Sequence, residues 1–375
     1  MKFKKITLVI LFMCCVAASH AQWTNKTMLF GGLNRSYRIY VSPNYSASDP
    51  ASIVMTLHGM GDNMTNFSTL GFNLIADTAN IIVLVPQAVS DVYAGTAWNS
   101  GAGTMGYYPN ASVNDIGYLN ALIDTTIANY SVDPQSVYLC GFSMGGFMTQ
   151  RMAIQSNSRF AAFASMSGTK GAAITNFAPG RTIPIAHFHG TSDSTVFFTN
   201  NEYGIDADSL VTLWVNSNGC DPEPDTTHFA NTISGDGITV DMYRYTGATT
   251  DAEVRFYVMN GAGHTVLYEP ANDLTEIYEI WMFFRQHRWL SAGLDRSVAP
   301  AVEVQFFPNP ATGYITLLSN GAGSIEIFDV TGKLVQRSVL TEASQIIDIR
   351  GLQTGVYFLQ AVSGDQVSTQ KLVVR

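Results

Sequence analysis

Residues 141–146 read Gly-Phe-Ser-Met-Gly-Gly and directly follow the apolar run Ser136-Val137-Tyr138-Leu139-Cys140. This pattern predicts a buried strand that turns at once into a helix, with Ser143 in the turn. Such a turn is sharp and holds the serine backbone under strain, so strand and helix can cross only where the flanking residues are glycines. Ser143 is then exposed at the sheet edge, at a helix N-terminus that favours developing negative charge. A serine so placed suits nucleophilic attack. Small-residue strand–helix turns also arise for packing alone, so the rest of the chain must supply partners.

The flanking sequence fits a layered fold. Apolar runs Ser52–Leu57, Ile81–Pro86, Ser136–Cys140, Phe160–Met166 and Ile183–Phe188 read as buried parallel strands. Helical patterns over Asn66–Asn80, Asp115–Tyr130, Met144–Gln155 and Asp206–Ser217 separate them, with Asp115 as an N-cap. Two more strands, Ile238–Thr246 and Glu253–Asn260, precede a last helix over Asn272–His287. Repeated strand-then-helix order from about residue 36 to residue 288 argues an α/β fold, a doubly wound, mostly parallel sheet with helices on both faces.

The two ends differ from this middle. Lys2, Lys4 and Lys5, the apolar stretch Ile6–Val16 and the small-x-small site Ser19-His20-Ala21 read as a signal peptide over residues 1–21. The apolar stretch is short for a membrane span, although a short anchor is the competing reading. Residues 22–290 form the α/β unit and 291–302 a linker of small residues. From residue 303 to 375 every apolar run is strand-like, punctuated by Asn320-Gly321, Thr331-Gly332 and Ser363-Gly364 turns, which predicts a small β-sandwich. The net charge is −9 with only 13% charged residues, so no basic surface for nucleic acid is present. After the leader two cysteines remain. Cys140 reads as a buried apolar residue and Cys220 as a turn residue, and nothing in their contexts argues for pairing them.

The strand Ser52–Leu57 runs into His58-Gly59-Met60-Gly61, a glycine-rich loop whose amides can face a bound oxyanion. Met60 N–H and Met144 N–H, the latter just after the nucleophile, are the candidate oxyanion donors. The acid belongs after a later strand. Ile183–Phe188 leads to His189-Gly190-Thr191-Ser192-Asp193, and Asp193 fits better than Asp206 or Asp208, which open a helix. Among His228, His264 and His287, only His264 follows a strand through a Gly261-Ala262-Gly263 turn just before the last helix. The order Ser143, Asp193, His264 differs from the triad orders of chymotrypsin-like and subtilisin-like proteases. His187 and His189 alternate on one strand, but no third ligand stands at metal-binding spacing, so neither a metal nor a cofactor is expected. Trp98, Phe142 and Phe197 are candidate substrate contacts, with Tyr107, Tyr108 and Phe198 in neighbouring loops.

With these residues placed, the α/β unit resembles the secreted α/β-hydrolases that include polyhydroxybutyrate depolymerases and feruloyl and acetyl xylan esterases. The matching runs are Leu57–Gly61, Ala97-Trp98-Asn99, Asn114–Gly117, Val132-Asp133-Pro134, Gly141–Gly146, His189–Asp193, Trp214 with Asn218-Gly219-Cys220, and Gly261–Thr265. The resemblance implies Ser143 as nucleophile, Asp193 as acid and His264 as base, with a polyester or plant cell-wall ester as substrate. The family often has Cys at the position of Met60, and it often pairs the cysteine of Asn-Gly-Cys with a later one; no cysteine follows Cys220 here. Phe307-Pro308-Asn309-Pro310, Gly355–Leu359 and the terminal Lys371–Arg375 resemble the C-terminal sorting domain of the type IX secretion system. That resemblance implies export across a bacterial outer membrane by that machinery, with release or surface attachment. A polymer-binding sandwich is the competing reading. For the catalytic unit the alternatives are a serine peptidase of the prolyl-oligopeptidase type and an inactive surface-binding protein.

Overall fold

The computed structural model describes residues 23–289, apart from 248 and 249, and residues 304–375, apart from 320–322, 331, 341–343 and 364–365. The leader read over 1–21 and the linker read over 291–302 lie outside the described residues. The α/β unit contains, in chain order, β1 (Thr24–Phe30), β2 (Leu33–Val41), β3 (Ala51–Leu57), α1 (Met64–Phe67), α2 (Phe72–Ala79) and β4 (Ile81–Pro86). It continues with β5 (Val89–Asp91), β6 (Gly95–Ala97), α3 (Asp115–Asn129), β7 (Val132–Phe142), α4 (Met144–Gln155) and β8 (Ala162–Met166). It ends with β9 (Ile185–Gly190), α5 (Ala207–Asn218), β10 (Asp225–His228), β11 (Thr239–Gly247), β12 (Thr250–Asn260) and α6 (Glu276–Phe284).

Ten strands form one sheet in the order β1-β2-β4-β3-β7-β8-β9-β12-β11-β10. The stretch from β4 to β12 is parallel throughout, and both flanks are antiparallel. The central strands are apolar at consecutive positions because both faces are covered. Ile53, Met55 and Leu57 of β3 and Val137 and Leu139 of β7 pack with residues of α3, α4 and α5. Val54, Tyr138 and Cys140 point the other way and pack with α2 and α6. The two-residue alternation of a strand thus assigns one apolar run to two helical layers. The result is an α/β fold with a large mixed sheet.

Several elements depart from the sequence reading. The helix expected over Asn66–Asn80 is broken into α1, a 3₁₀ turn over Ser68–Leu70 and α2. Gly71 separates the last two at φ +104°, a left-handed conformation that a continuous helix cannot contain. The sheet begins at Thr24, because Gly31 and Gly32 turn β1 and β2 into a hairpin through positive φ. Asp115 is not the N-cap of α3. Asn114 caps it by accepting from Gly117 N–H, and Asp115 instead forms a buried 2.7 Å ion pair with Arg35. The last helix is confined to Glu276–Phe284.

The C-terminal unit is a β-sandwich. One layer holds β13 (Val304–Thr312), β14 (Tyr314–Ser319) and β17 (Ser344–Asp348), and the end of β13 bridges to the second layer through a parallel pairing of Ala311 with Val374. The other holds β15 (Ser324–Asp329), β16 (Leu334–Val339), β18 (Gly355–Ser363) and β19 (Gln366–Val374). Ile315, Leu317, Ile325, Ile327, Ile347, Leu359 and Leu372 fill its own core. Among the described residues, no helix is long and apolar enough to cross a membrane.

Candidate active site

The parallel strands β3, β7, β9 and β12 all end on the same edge of the sheet, and the candidate residues lie in the loops that leave those ends. This edge is where open α/β sheets bind ligands. Because β3 neighbours β7, the His58–Gly61 loop lies beside Ser143. Because β9 neighbours β12, Asp193 lies beside His264.

Ser143 joins β7 to α4 with φ 55° and ψ −121°, outside the conformations that L-residues ordinarily adopt. The strain persists because the surroundings are over-determined. Ser143 N–H donates to Met166 O at 2.8 Å. A Cβ on Gly145 would stand 2.1 Å from Leu57 O, and one on Gly141 would stand 2.3 Å from Gly145 O. The glycines therefore set how closely α4 crosses the sheet. Met144 is the first residue of α4, and its N–H is among those that no helical carbonyl can reach.

The facing loop is fixed from beneath. The buried His58 ring donates from Nδ1 to Gly59 O at 2.7 Å, which leaves Nε2 to accept from Ala88 N–H at 3.1 Å. Gln87 adds a second donor to that nitrogen at 3.1 Å, its Oε1 being occupied by Met64 N–H. Burial lowers the basicity of His58, outweighing the opposite pull of the Gly59 carbonyl and the Asp62 charge. Trp98 is fully buried, with its indole N–H donating to His58 O at 2.9 Å. That burial corrects the reading of Trp98 as a substrate contact, because the ring has no surface to offer. Its segment is tied down next door, where Asp115 accepts from Asn99 N–H at 2.7 Å. Met60 itself is half exposed, and a Cβ on Gly59 would meet Ser143 Cβ at 3.4 Å.

His264 Nε2 lies 2.9 Å from Ser143 Oγ, and its Nδ1 lies 2.7 Å from Asp193 Oδ2. The carboxylate's other oxygen accepts from Thr195 N–H and Val196 N–H, each at 2.9 Å. Burial alone would raise the Asp193 carboxyl. The His264 hydrogen bond and these amides outweigh burial and hold it below its ordinary value. Asp193 therefore stays ionised, and it fixes the tautomer in which Nδ1 carries the proton and Nε2 accepts from the serine.

The remaining candidates scatter. Phe142 is partly exposed, with its ring 4.7 Å from that of His264. Phe197 is exposed at the end of the acid turn, whereas Phe198 packs on His189. Tyr107 hydrogen-bonds Asp91 on a neighbouring hairpin. His228 sits on the edge strand β10 against Asp241, and His287 contacts Glu253 at 3.2 Å, so neither reaches Ser143. His187 and His189 are buried in a hydrogen-bonded row. Glu276, which the sequence reading passed over, lies under the His264 loop. Its Oε1 accepts from Leu267 N–H at 2.6 Å, and its own N–H donates to Leu267 O at 3.0 Å. A glutamate opening a strongly apolar helix was the available signal for it.

Residues 44–203 match the family model described as Phospholipase/Carboxylesterase, and residues 305–375 match the secretion system C-terminal sorting domain. The second match marks the chain for secretion or cell-surface attachment. A bifunctional acetylxylan esterase/xylanase of Neocallimastix patriciarum is 26% identical over 260 residues, covering 68% of this chain and 34% of that one. Poly(3-hydroxyalkanoate) depolymerase C of Paucimonas lemoignei is 26% identical over 59% of this chain and 56% of its own. The chain spans between about a quarter and just over half the length of the first curated relatives it matches. Among solved structures, an acetyl xylan esterase from Aspergillus awamori superposes with a TM-score of 0.50 at 17% identity, covering 70% of this chain and 99% of that one. At that identity the likeness speaks for the fold.

Proposed function

We propose, from the carboxylesterase-family match over residues 44–203, that this chain is an exported serine carboxylic-ester hydrolase working through an acyl-enzyme. The observation that carries the proposal is the unbroken row Ser143 Oγ, His264 Nε2, His264 Nδ1 and Asp193 Oδ2, with both spacings under 3 Å. His264 Nε2 removes the Ser143 hydroxyl proton as Oγ forms a bond to the ester carbonyl carbon. The carbonyl π electrons move onto oxygen, and that oxyanion accepts from Met60 N–H and Met144 N–H. Two fixed donors contribute on the order of 3 kcal/mol each to lowering the barrier. The tetrahedral adduct collapses, the C–O bond to the alcohol breaks, and His264 hands its proton to the departing oxygen. Water then repeats the sequence: His264 takes its proton, hydroxide adds to the acyl carbon, and Ser143 leaves with the proton returned. Asp193 remains ionised throughout and stabilises the imidazolium.

Relatives named as polyester depolymerases and as acetylxylan and feruloyl esterases support a polyester or plant cell-wall ester as substrate. We assign Phe142, whose ring lies 4.7 Å from that of His264, and the exposed Phe197 to contact with its acyl or aryl part. The C-terminal sandwich is the portion that the secretion machinery takes up. The test is Ser143→Ala in the full chain, assayed on methyl ferulate, acetylated xylan, polyhydroxybutyrate and a peptide amide, with fluorophosphonate labelling of the parent. Labelling at Ser143 and loss of ester hydrolysis in the folded variant are expected. Undiminished ester hydrolysis in Ser143→Ala, or turnover of the peptide amide alone, overturns the proposal.

A further inference from the structure

Beneath the acid turn runs a row of buried polar groups that the reaction does not use. Trp214 Nε1 donates to Gln150 Oε1 at 2.8 Å, and Gln150 Nε2 donates to Ser165 Oγ at 2.7 Å. Ser165 Oγ lies 2.8 Å from His187 Nδ1, and His187 Nε2 lies 3.2 Å from His189 Nδ1. His189 Nε2 lies 2.8 Å from Val196 O. All six residues are buried, four of them with no exposed surface.

The Val196 end fixes the direction of the row, and the Trp214 end agrees with it. An indole N–H can only donate, and a backbone carbonyl can only accept. From the Trp214 end, Gln150 must present its oxygen to the indole and its NH₂ to Ser165. Ser165 Oγ, having accepted from Gln150, still has its proton to give to His187 Nδ1, which fits His187 Nε2 as the N–H. From the other end, Val196 O requires the proton on His189 Nε2, which leaves His189 Nδ1 to accept from His187. With both rings neutral, Val196 O sets Nε2–H on each and leaves His187 Nδ1 to accept from Ser165, an arrangement the Trp214 end matches. A second proton on His189 Nδ1 would face the His187 Nε2–H, setting two donors against each other in a site closed to water, a costly mismatch.

The row also links two parts of the site. Gln150 lies on α4, whose first turn begins at Ser143, and Val196 N–H donates to Asp193 Oδ1 at 2.9 Å. We propose that His187 and His189 are positioning residues: as neutral links of a one-way hydrogen-bond row they fix the Asp193 turn relative to the helix carrying Ser143. This rests on the proposed esterase reading for its kinetic consequence alone. The titratable groups facing the pair are Asp193, 3.6 Å from His189, and His264 beyond it. The other faces are the rings of Phe198 and Phe256.

Two measurements test this. In the unmodified full chain, nitrogen NMR of the histidine rings should show both His187 and His189 as neutral Nε2–H tautomers from pH 5 to pH 8. This readout needs no catalysis, so it stands apart from the esterase proposal. An Nδ1–H tautomer or a titration of either ring in that range overturns the row. In kinetics, His189→Phe removes the donor to Val196 O. It should lower kcat about 10- to 100-fold with KM little changed. It should also move the acid limb of the pH–rate profile to lower pH, because the imidazolium loses a well-placed counter-charge. His189→Gln keeps a donor for Val196 O and should recover most of the loss. Equal impairment of the Phe and Gln variants with an unmoved profile marks a merely structural role and refutes the positioning. If His189→Phe does not fold, Ser165→Ala at the middle of the row replaces it, with a smaller shift of the same sign expected and an unmoved profile again refuting it.

Discussion

Glu276→Gln should remove one pH dependence from the stability of the α/β unit, so that the substitution destabilises at low pH and stabilises at high pH. Glu276 is fully buried, and its Oε2 has no hydrogen-bond partner among the described residues. Burial pushes its carboxyl from 4.5 up to about 8, against a smaller opposing pull from Leu267 N–H. The folded protein therefore retains a proton that the unfolded chain releases above pH 4.5 or so. Stability from this group is complete below the unfolded value, falls as pH rises toward 8, and is constant beyond. The slope is about 1.4 kcal/mol per pH unit, so the loss across the window is on the order of 5 kcal/mol. Glutamine does not ionise and keeps the acceptor for Leu267 N–H. It places an NH₂ where Oε2 has no partner, costing about 1–3 kcal/mol at every pH. The variant should accordingly be less stable than the parent at pH 5, by up to about 2 kcal/mol, and more stable at pH 9, by about 2–4 kcal/mol. The two curves cross between about pH 5 and 7. Urea unfolding followed by tryptophan fluorescence measures this for the α/β unit alone, since Trp23, Trp98, Trp214, Trp281 and Trp289 all precede the sandwich. A difference that stays the same at pH 5 and pH 9 would refute the argument.

Two further outcomes follow from contacts around Ser143. Trp98→Phe leaves the buried His58 carbonyl without its donor and should cost about 1–3 kcal/mol of stability while lowering kcat; a raised KM with unchanged stability would instead return Trp98 to the substrate. Gly145→Ala drives a methyl group into Leu57 O and should cost about 3 kcal/mol or prevent folding, whereas Gly263→Ala, with nothing within 4 Å, should stay within about 0.5 kcal/mol, both read from unfolding midpoints.

Ser143 was legible because the turn that exposes it is encoded locally, by glycines at fixed offsets after an apolar strand. Asp193 and His264 were legible one step further off, because each follows a strand that the alternating pattern already identifies. Trp98 was misread, since a tryptophan in a loop reads as available surface and only packing decides which way the indole turns. The helix expected through Asn66–Asn80 failed at a single residue. Its apolar spacing suits a helix, and Gly71 gives no sign in sequence that it will adopt a left-handed conformation.

The buried row from Trp214 to Val196 marks the limit. Two histidines two apart on a strand must share a face, and that much is fixed by the strand's period of two. Which face it is, and that Ser165, Gln150 and Trp214 from three other elements meet them there, depends on strand order and helix placement. Those in turn are set by burial of the whole apolar surface, a sum over the molecule. Sequence alone therefore determined what is local or serial: the alternating fold class, the strained serine and the order of its partners. Tertiary structure decided what faces what: the buried indole under His58, the raised carboxyl of Glu276 and the polarity of the row behind Asp193. A hydrogen bond or a dielectric environment belongs to a pair of surfaces, and a chain read in order names only one of them at a time.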